Sequence, residues 1–214
     1  MIFLRYESFR SYLKSYPVTT GIIALNLIYF IVVAVNGDPN NGLHAYKYGA
    51  FYTEPGADPY GMREPWRYIT SMFMHAGIEH LLFNMFALLV FAPPLERLLK
   101  PLRYVPLYLA SGIGGHLLAA LMTIAAGEDS HLAVGASGAI YGVYGAYLYI
   151  ALVRKNALDA ASRKTIYLIL GFGIVYSLFV PSVDLWGHAG GALTGFVLFR
   201  LLERAAMWKR RFDS

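Results

Sequence analysis

Six apolar runs, comparable in length with the roughly 20 residues a helix needs to cross a bilayer, constrain this chain more than any other feature. They are Val18 to Val35, Gly77 to Ala92, Leu102 to Ala126, Gly138 to Val153, Thr165 to Val180 and Leu185 to Leu202. Lipid offers the backbone no hydrogen-bond partners, so such segments must close their bonds within helices. Only 14% of residues are charged, against about 25% in soluble domains. The expected fold is therefore all-α, a polytopic membrane protein with six transmembrane helices. Pro93-Pro94 should kink or stop the second helix.

Charge orients the bundle. Of the 18 Lys and Arg residues, all but Lys47, Arg63 and Arg67 fall before the first run, between the second and third, between the fourth and fifth, or at and beyond the end of the sixth. Positive charge favours the cytoplasmic side, which places both termini there. With no organellar targeting segment or extra domain evident, the expected location is the cell (plasma) membrane, as a multi-pass protein. The net charge of +5 is then explained by topology and anionic lipid, and nucleic acid needs no place in it. No linker composition divides the chain. The expected organisation is a short cytoplasmic or interfacial lead-in over 1–16, a six-helix domain over 17–204 and a basic cytoplasmic tail over 205–214. No cleavable signal is evident at the start. The absence of cysteine excludes disulfides, thiolate metal sites and a cysteine nucleophile.

Between the first two runs lies a long connection, Asn36 to Pro65, rich in Gly, Pro, Asn, Tyr and Asp; with Trp66 after it, it reads as a structure lying in the membrane interface. The fourth run, at about 1.5 Å per residue, is roughly 24 Å long and shorter than a hydrocarbon core of about 30 Å. With Arg154-Lys155 fixed at the cytoplasmic surface, its start at Ser137 should lie below the outer surface. The preceding loop, Gly127 to Ala136, must then dip inward beside protein or water.

That start reads Gly135-Ala136-Ser137-Gly138, a serine where a glycine-tolerant segment becomes a helix. Free backbone N–H groups at a helix start would meet an oxyanion formed nearby. A lone match of this kind is more often an ordinary glycine-rich turn, so the remaining groups decide. By the topology above, His80 and Asn84 in the second run and His188 in the sixth fall at the same outer level. His80 and Asn84 are i and i+4 on one helical face. His188 is the candidate general base, while His80, Asn84 and the Ser137 N–H are candidate oxyanion donors. Tyr141, one turn beyond Ser137, is placed to pack against the imidazole. Asp184 stands one turn before His188, where it could orient the ring or serve as a surface cap. Gly138 with Gly142, and Gly191 with Gly195, form two G-x-x-x-G patterns that would let the fourth and sixth helices approach closely.

Other polar positions read as structural. Glu96, about 18 Å along the helix from Asn84, is a capping or interhelical hydrogen-bond residue. His75 and Arg67 brace the first loop, Arg67 through loop carbonyls. Asn26 is an interhelical hydrogen bond. His44 and His131 are ordinary loop residues, and His116 is either a packing device or part of a water path.

Taken together, Trp66-Arg67, the H-x4-H-x3-N pattern of His75, His80 and Asn84, the Gly135–Gly138 motif with Tyr141, and the G-H-A-G-G of Gly187 to Gly191 resemble the rhomboid family of intramembrane serine proteases. The resemblance covers about Val18 to Leu202. It implies a six-helix fold, a Ser137–His188 dyad without an obligatory aspartate, and His80 and Asn84 at the oxyanion. It also implies transmembrane proteins as substrates, cut near the outer surface after a small residue, and no cofactor. Three features depart from the family pattern: Pro93-Pro94 and Lys100 stand where glycines are frequent, and Gly187 replaces a common alanine. A zinc site is disfavoured, because His75 to His80 reads H-x-x-x-E-H, one residue too long to align two ligands on a face. A transporter would need an internal repeat that the chain does not display. The remaining alternative is a non-catalytic scaffold of the same fold that binds transmembrane segments.

Overall fold

The computed structural model describes residues 2–4, 6–180 and 182–212. The side chains of Lys155 and of the basic tail from Arg204 onward lie outside the described residues, as does Arg5. The helices are α1 (Phe9–Ser15), α2 (Pro17–Val35), α3 (Gly42–Lys47), α4 (Arg67–Thr70), α5 (Gly77–Leu99), α6 (Pro101–Ala126), α7 (Ser137–Val153), α8 (Ala160–Phe179) and α9 (Leu185–Phe212). The apolar runs fall in α2, α5, α6, α7, α8 and α9. Among the described residues, α2, α5 and α6 are long and apolar enough to cross a membrane, and α7 is a shorter apolar helix. Large apolar side chains face outward along the bundle, among them Ile28 and Ile31 on α2, Phe83 and Phe86 on α5, and Phe172 and Phe179 on α8. So extensive an exposed apolar surface fits hydrocarbon rather than water.

The centre of the bundle is α6, α7 and α9, packed more closely on one another than any other helices. Glycine makes this possible. A Cβ at Gly191 would strike the Gly138 carbonyl, one at Gly195 the Gly142 carbonyl, and one at Gly145 the Ala192 carbonyl. The two G-x-x-x-G patterns therefore face each other across the α7–α9 contact. The glycines of α6 extend it: Gly115 lies against the Gly187 carbonyl and Gly114 against Thr194. By contrast, α8 touches α7 and α9 only sparsely.

Pro93-Pro94 does not stop the helix, and α5 continues through both prolines to Leu99. Proline at position 93 deprives the Leu89 carbonyl of its usual helical donor. That carbonyl accepts instead from the Tyr12 hydroxyl at 3.2 Å, so the helix proceeds without an orphaned acceptor. Beyond it, the Glu96 carboxylate accepts from the Val18 and Thr19 N–H groups at 2.9 and 2.8 Å and from the Thr19 hydroxyl at 2.6 Å. A fully buried carboxylate thereby caps the start of α2, in accord with its structural reading. Asn26 behaves differently from expectation. Its amide donates to the Ile22 carbonyl of its own helix at 2.7 Å, so the bond is intrahelical. The start of the chain also enters the core, where Phe3 packs edge-on against Phe91 and Tyr147.

One feature departs from an all-helical reading. Strands β1 (Phe51–Thr53) and β2 (His131–Ala133) pair antiparallel, with Tyr52 opposite Leu132. This short ladder ties the first loop to the segment leading into α7, and the Gly135 N–H continues the attachment by donating to the Ser71 carbonyl at 2.9 Å. The inward loop thus finds its backbone partners in protein. Arg67 holds the first loop from below: its guanidinium donates to the Tyr46 and Ala50 carbonyls at 2.6 and 3.1 Å and pairs with Glu64 at 2.7 Å. Trp66, just before it, is exposed.

Lys100, between α5 and α6, has φ of 64° and ψ of 158°, and it is the one non-glycine residue with positive φ among those described. That region suits glycine alone, and a side chain there costs about 1–3 kcal/mol. Lys100→Gly should raise thermal stability by about 1 kcal/mol, measured as a higher Tm in detergent.

Candidate active site

Ser137 is the first residue of α7, preceded by Ala136, whose carbonyl accepts the first helical bond from Ile140 at 3.0 Å. The N–H groups of Ser137, Gly138 and Ala139 therefore lack partners within the helix and carry the positive end of its dipole. The sharp entry depends on Gly135. Its φ is 123°, and a Cβ there would strike the His80 ring with the Ser137 hydroxyl close behind. Only glycine meets both demands, and the same close approach brings His80 to the serine.

Ser137 and His188 line one small cavity at the α6–α7–α9 junction, together with Met72, Gly135, His116 and Asp184. The His188 ring stacks flat on Tyr141, with centroids 4.0 Å apart and planes 9° apart. This is the packing that the helical spacing predicts. Its Nδ1 lies 3.0 Å from the Ser177 hydroxyl of α8. The ring is consequently held on its face and at one edge.

His80 packs edge-on against His75, with centroids 5.0 Å apart. Burial, with the neighbouring His80 second, pushes the His75 imidazole down to about 3, which keeps it neutral. Asn84 is buried and donates one amide N–H to the His80 carbonyl at 2.8 Å. Its second N–H remains for another acceptor.

Asp184 does not orient His188. Its carboxylate accepts from the Gly187 N–H at 2.7 Å and pairs with His131 at 3.3 Å. It lies where a methyl on residue 187 would sit, which accounts for glycine in place of the common alanine. His131 is accordingly more than a loop residue, for it joins β2 to the start of α9. His44 likewise has a defined partner, the Val33 carbonyl at 3.0 Å. His116 bonds the Ser71 hydroxyl at 2.8 Å, stacks on Phe51 and lines the cavity, so its packing and its access to the site coexist. Ser177 and His131 escaped sequence reasoning. A single serine in the apolar run of α8, and a histidine in a polar loop, carry no spacing that points to partners 11 and 53 residues away.

The helical bundle, its apolar exterior and the buried polar cluster define a multi-pass membrane protein. The Rhomboid domain family model matches residues 62–205. YdcA of Bacillus subtilis is 32% identical over 197 residues, 92% of this chain and 94% of the relative. The rhomboid protease GluP of the same organism is also 32% identical, over 81% of this chain but 32% of its own length. RHOMBOID-like protein 6, mitochondrial, of Arabidopsis thaliana is 40% identical over 71% of this chain and 48% of its own. The chain belongs to the rhomboid family.

Burial of Asp184 raises its carboxyl pKa, but the hydrogen bond and charge of His131 and the Gly187 N–H outweigh it, and the net shift is downward. A depressed carboxyl contributes stability that is present above the ordinary carboxylate range and is lost as pH falls through the folded value. Wild type should therefore be more stable than Asp184→Asn at pH 6, and the gap should close on acidification below about pH 4. Thermal unfolding of both proteins from pH 6 to 3 checks this.

Proposed function

We propose that this protein is an intramembrane serine endopeptidase that cleaves transmembrane helices of other membrane proteins near the outer surface. The observation that carries this reading is the shared cavity of Ser137 and His188, with the helix start of α7 opening into it. In the proposed topology α2, α5, α6, α7, α8 and α9 all cross the bilayer. Both termini face the cytoplasm, the membrane is the cell membrane, and 17–204 is the catalytic domain between a lead-in and a basic tail.

Chemistry follows from the groups present. His188 Nε2 takes the Ser137 proton as the hydroxyl oxygen bonds to the scissile carbonyl carbon. Negative charge passes to the carbonyl oxygen, where the N–H groups at the start of α7, the His80 ring and the free Asn84 N–H supply donors. Collapse breaks the C–N bond, and the amine leaves with the proton from His188. Water then loses a proton to His188 and attacks the Ser137 ester, which returns the proton to Ser137 and releases the new carboxylate. No cofactor is required. A substrate helix must unwind locally first, since its carbonyls are already hydrogen-bonded, so helix-destabilising residues near the cut should favour cleavage. Lipid and transmembrane substrates are thus the proposed partners.

Ser137→Ala and His188→Ala should each abolish cleavage of a transmembrane substrate without unfolding the protein. A fluorophosphonate should label Ser137 in wild type but not in His188→Ala, with the adduct located by mass spectrometry. Absence of labelling on folded wild type, together with no cleavage, would favour a scaffold that binds helices without cutting them. Asn84→Ala should lower kcat by roughly 10- to 1000-fold, measured with the same substrate.

A further inference from the structure

Resting on the proteolytic reading above, we propose that Ser177 is the positioning residue of the base, filling through its hydroxyl the orienting role that an aspartate fills in a triad. His188 Nδ1 and the Ser177 Oγ are 3.0 Å apart, and both side chains are buried, at 9% and 7% exposure. The carboxylate nearest in sequence, Asp184, is committed to His131 and the Gly187 N–H.

A neutral imidazole has one N–H and one lone pair, and only the tautomer with the lone pair on Nε2 can accept the Ser137 proton. An acceptor at Nδ1 selects that tautomer. Ser177 can serve as one because a hydroxyl oxygen carries lone pairs as well as its proton. The Tyr141 hydroxyl lies against Gly173, one turn before Ser177 on the same face of α8. In this arrangement His188 Nδ1–H donates to the Ser177 Oγ. Tyr141 holds the face of the imidazole with its ring. Because α8 is only sparsely packed on α7 and α9, this bond also makes the geometry of the base depend on how α8 is seated.

Full-length wild type, Ser177→Ala, Ser177→Thr and Ser137→Ala, purified in detergent, would be compared on a quenched-fluorescent transmembrane peptide between pH 5 and 9. Ser177→Ala should lower kcat by about ten- to hundredfold with KM within about twofold. The acid limb of kcat/KM should also move to lower pH by about half a unit, since the imidazolium loses an acceptor. The other titratable groups around the ring, Asp184, His80, His116, His131 and Tyr141, are common to all the variants. Ser177→Thr, which keeps the hydroxyl, should recover most of the rate. Nitrogen-15 histidine spectra should show the Nε2–H tautomer of His188 rising in Ser177→Ala. Melting temperatures identify any variant that fails to fold, and if Ser177→Ala does so, the His188 spectrum and pH profile of Ser177→Thr decide by matching wild type or not. An active wild type with Ser177→Ala of equal or higher rate, or of reduced rate with an unmoved acid limb and raised KM, would overturn the positioning role and leave the protease standing. A wild type that neither cleaves nor labels at Ser137 would overturn both.

Discussion

Backbone contact between α7 and α9 is the constraint on which the site depends. At Gly145 on one helix, and Gly191 and Gly195 on the other, the space that a Cβ would need is occupied by the facing backbone, and at Gly142 by the Ser111 side chain of α6. Association of helices in lipid gains little from the hydrophobic effect, because tails and side chains are equally apolar, so close packing must supply the attraction. Here that packing also sets the chemistry. Ser137 begins α7 one residue before Gly138, and His188 precedes Gly191 by three, so drawing the helices together carries both groups into one cavity.

Around this axis, polar groups are satisfied in pairs that reach across the chain. Glu96 caps α2, Arg67 gathers the carbonyls of the first loop, Ser71 meets His116, and Asp184 meets His131. In an apolar interior an unpartnered group of this kind is costly, which makes each pair a strong specification of how its two elements dock. Several converge on the cavity. The short β1–β2 ladder and the Gly135 N–H pin the entry to α7, and Gly135 itself admits the His80 ring. The candidate base and the candidate oxyanion group thus approach Ser137 from different helices, each held by a partner outside the reacting set.

Much of this was legible before folding was considered. Long apolar runs announce helices, because an unpaired backbone is untenable in lipid. Of the residues that the spacing marks, Ser137, Gly138 and His188 line the cavity, and the His80 ring lies against Gly135 at its edge. Tyr141 against His188 follows from one helical turn. Misreadings arose where a local rule met a distant partner. Pro93-Pro94, expected to kink or stop a helix, does not stop α5, and Tyr12 takes up the freed Leu89 carbonyl. Asn26 should reach another helix, yet the carbonyl one turn back is closer.

Sequence by itself determined the helical, membrane-embedded character of the protein and the candidate residues, since hydrophobic length, charge placement and i, i+4 spacing act along the chain and need no fold to be read. Tertiary structure alone decided the partners. That His188 leans on Ser177 rather than Asp184, that Asp184 turns to His131 over the bare Cα of Gly187, and that a two-stranded ladder steadies the loop before Ser137 are outcomes of packing between segments far apart in sequence. A hydrogen bond is directional and reaches only about 3 Å, so which of several nearby acceptors a buried ring will use depends on where each helix comes to rest.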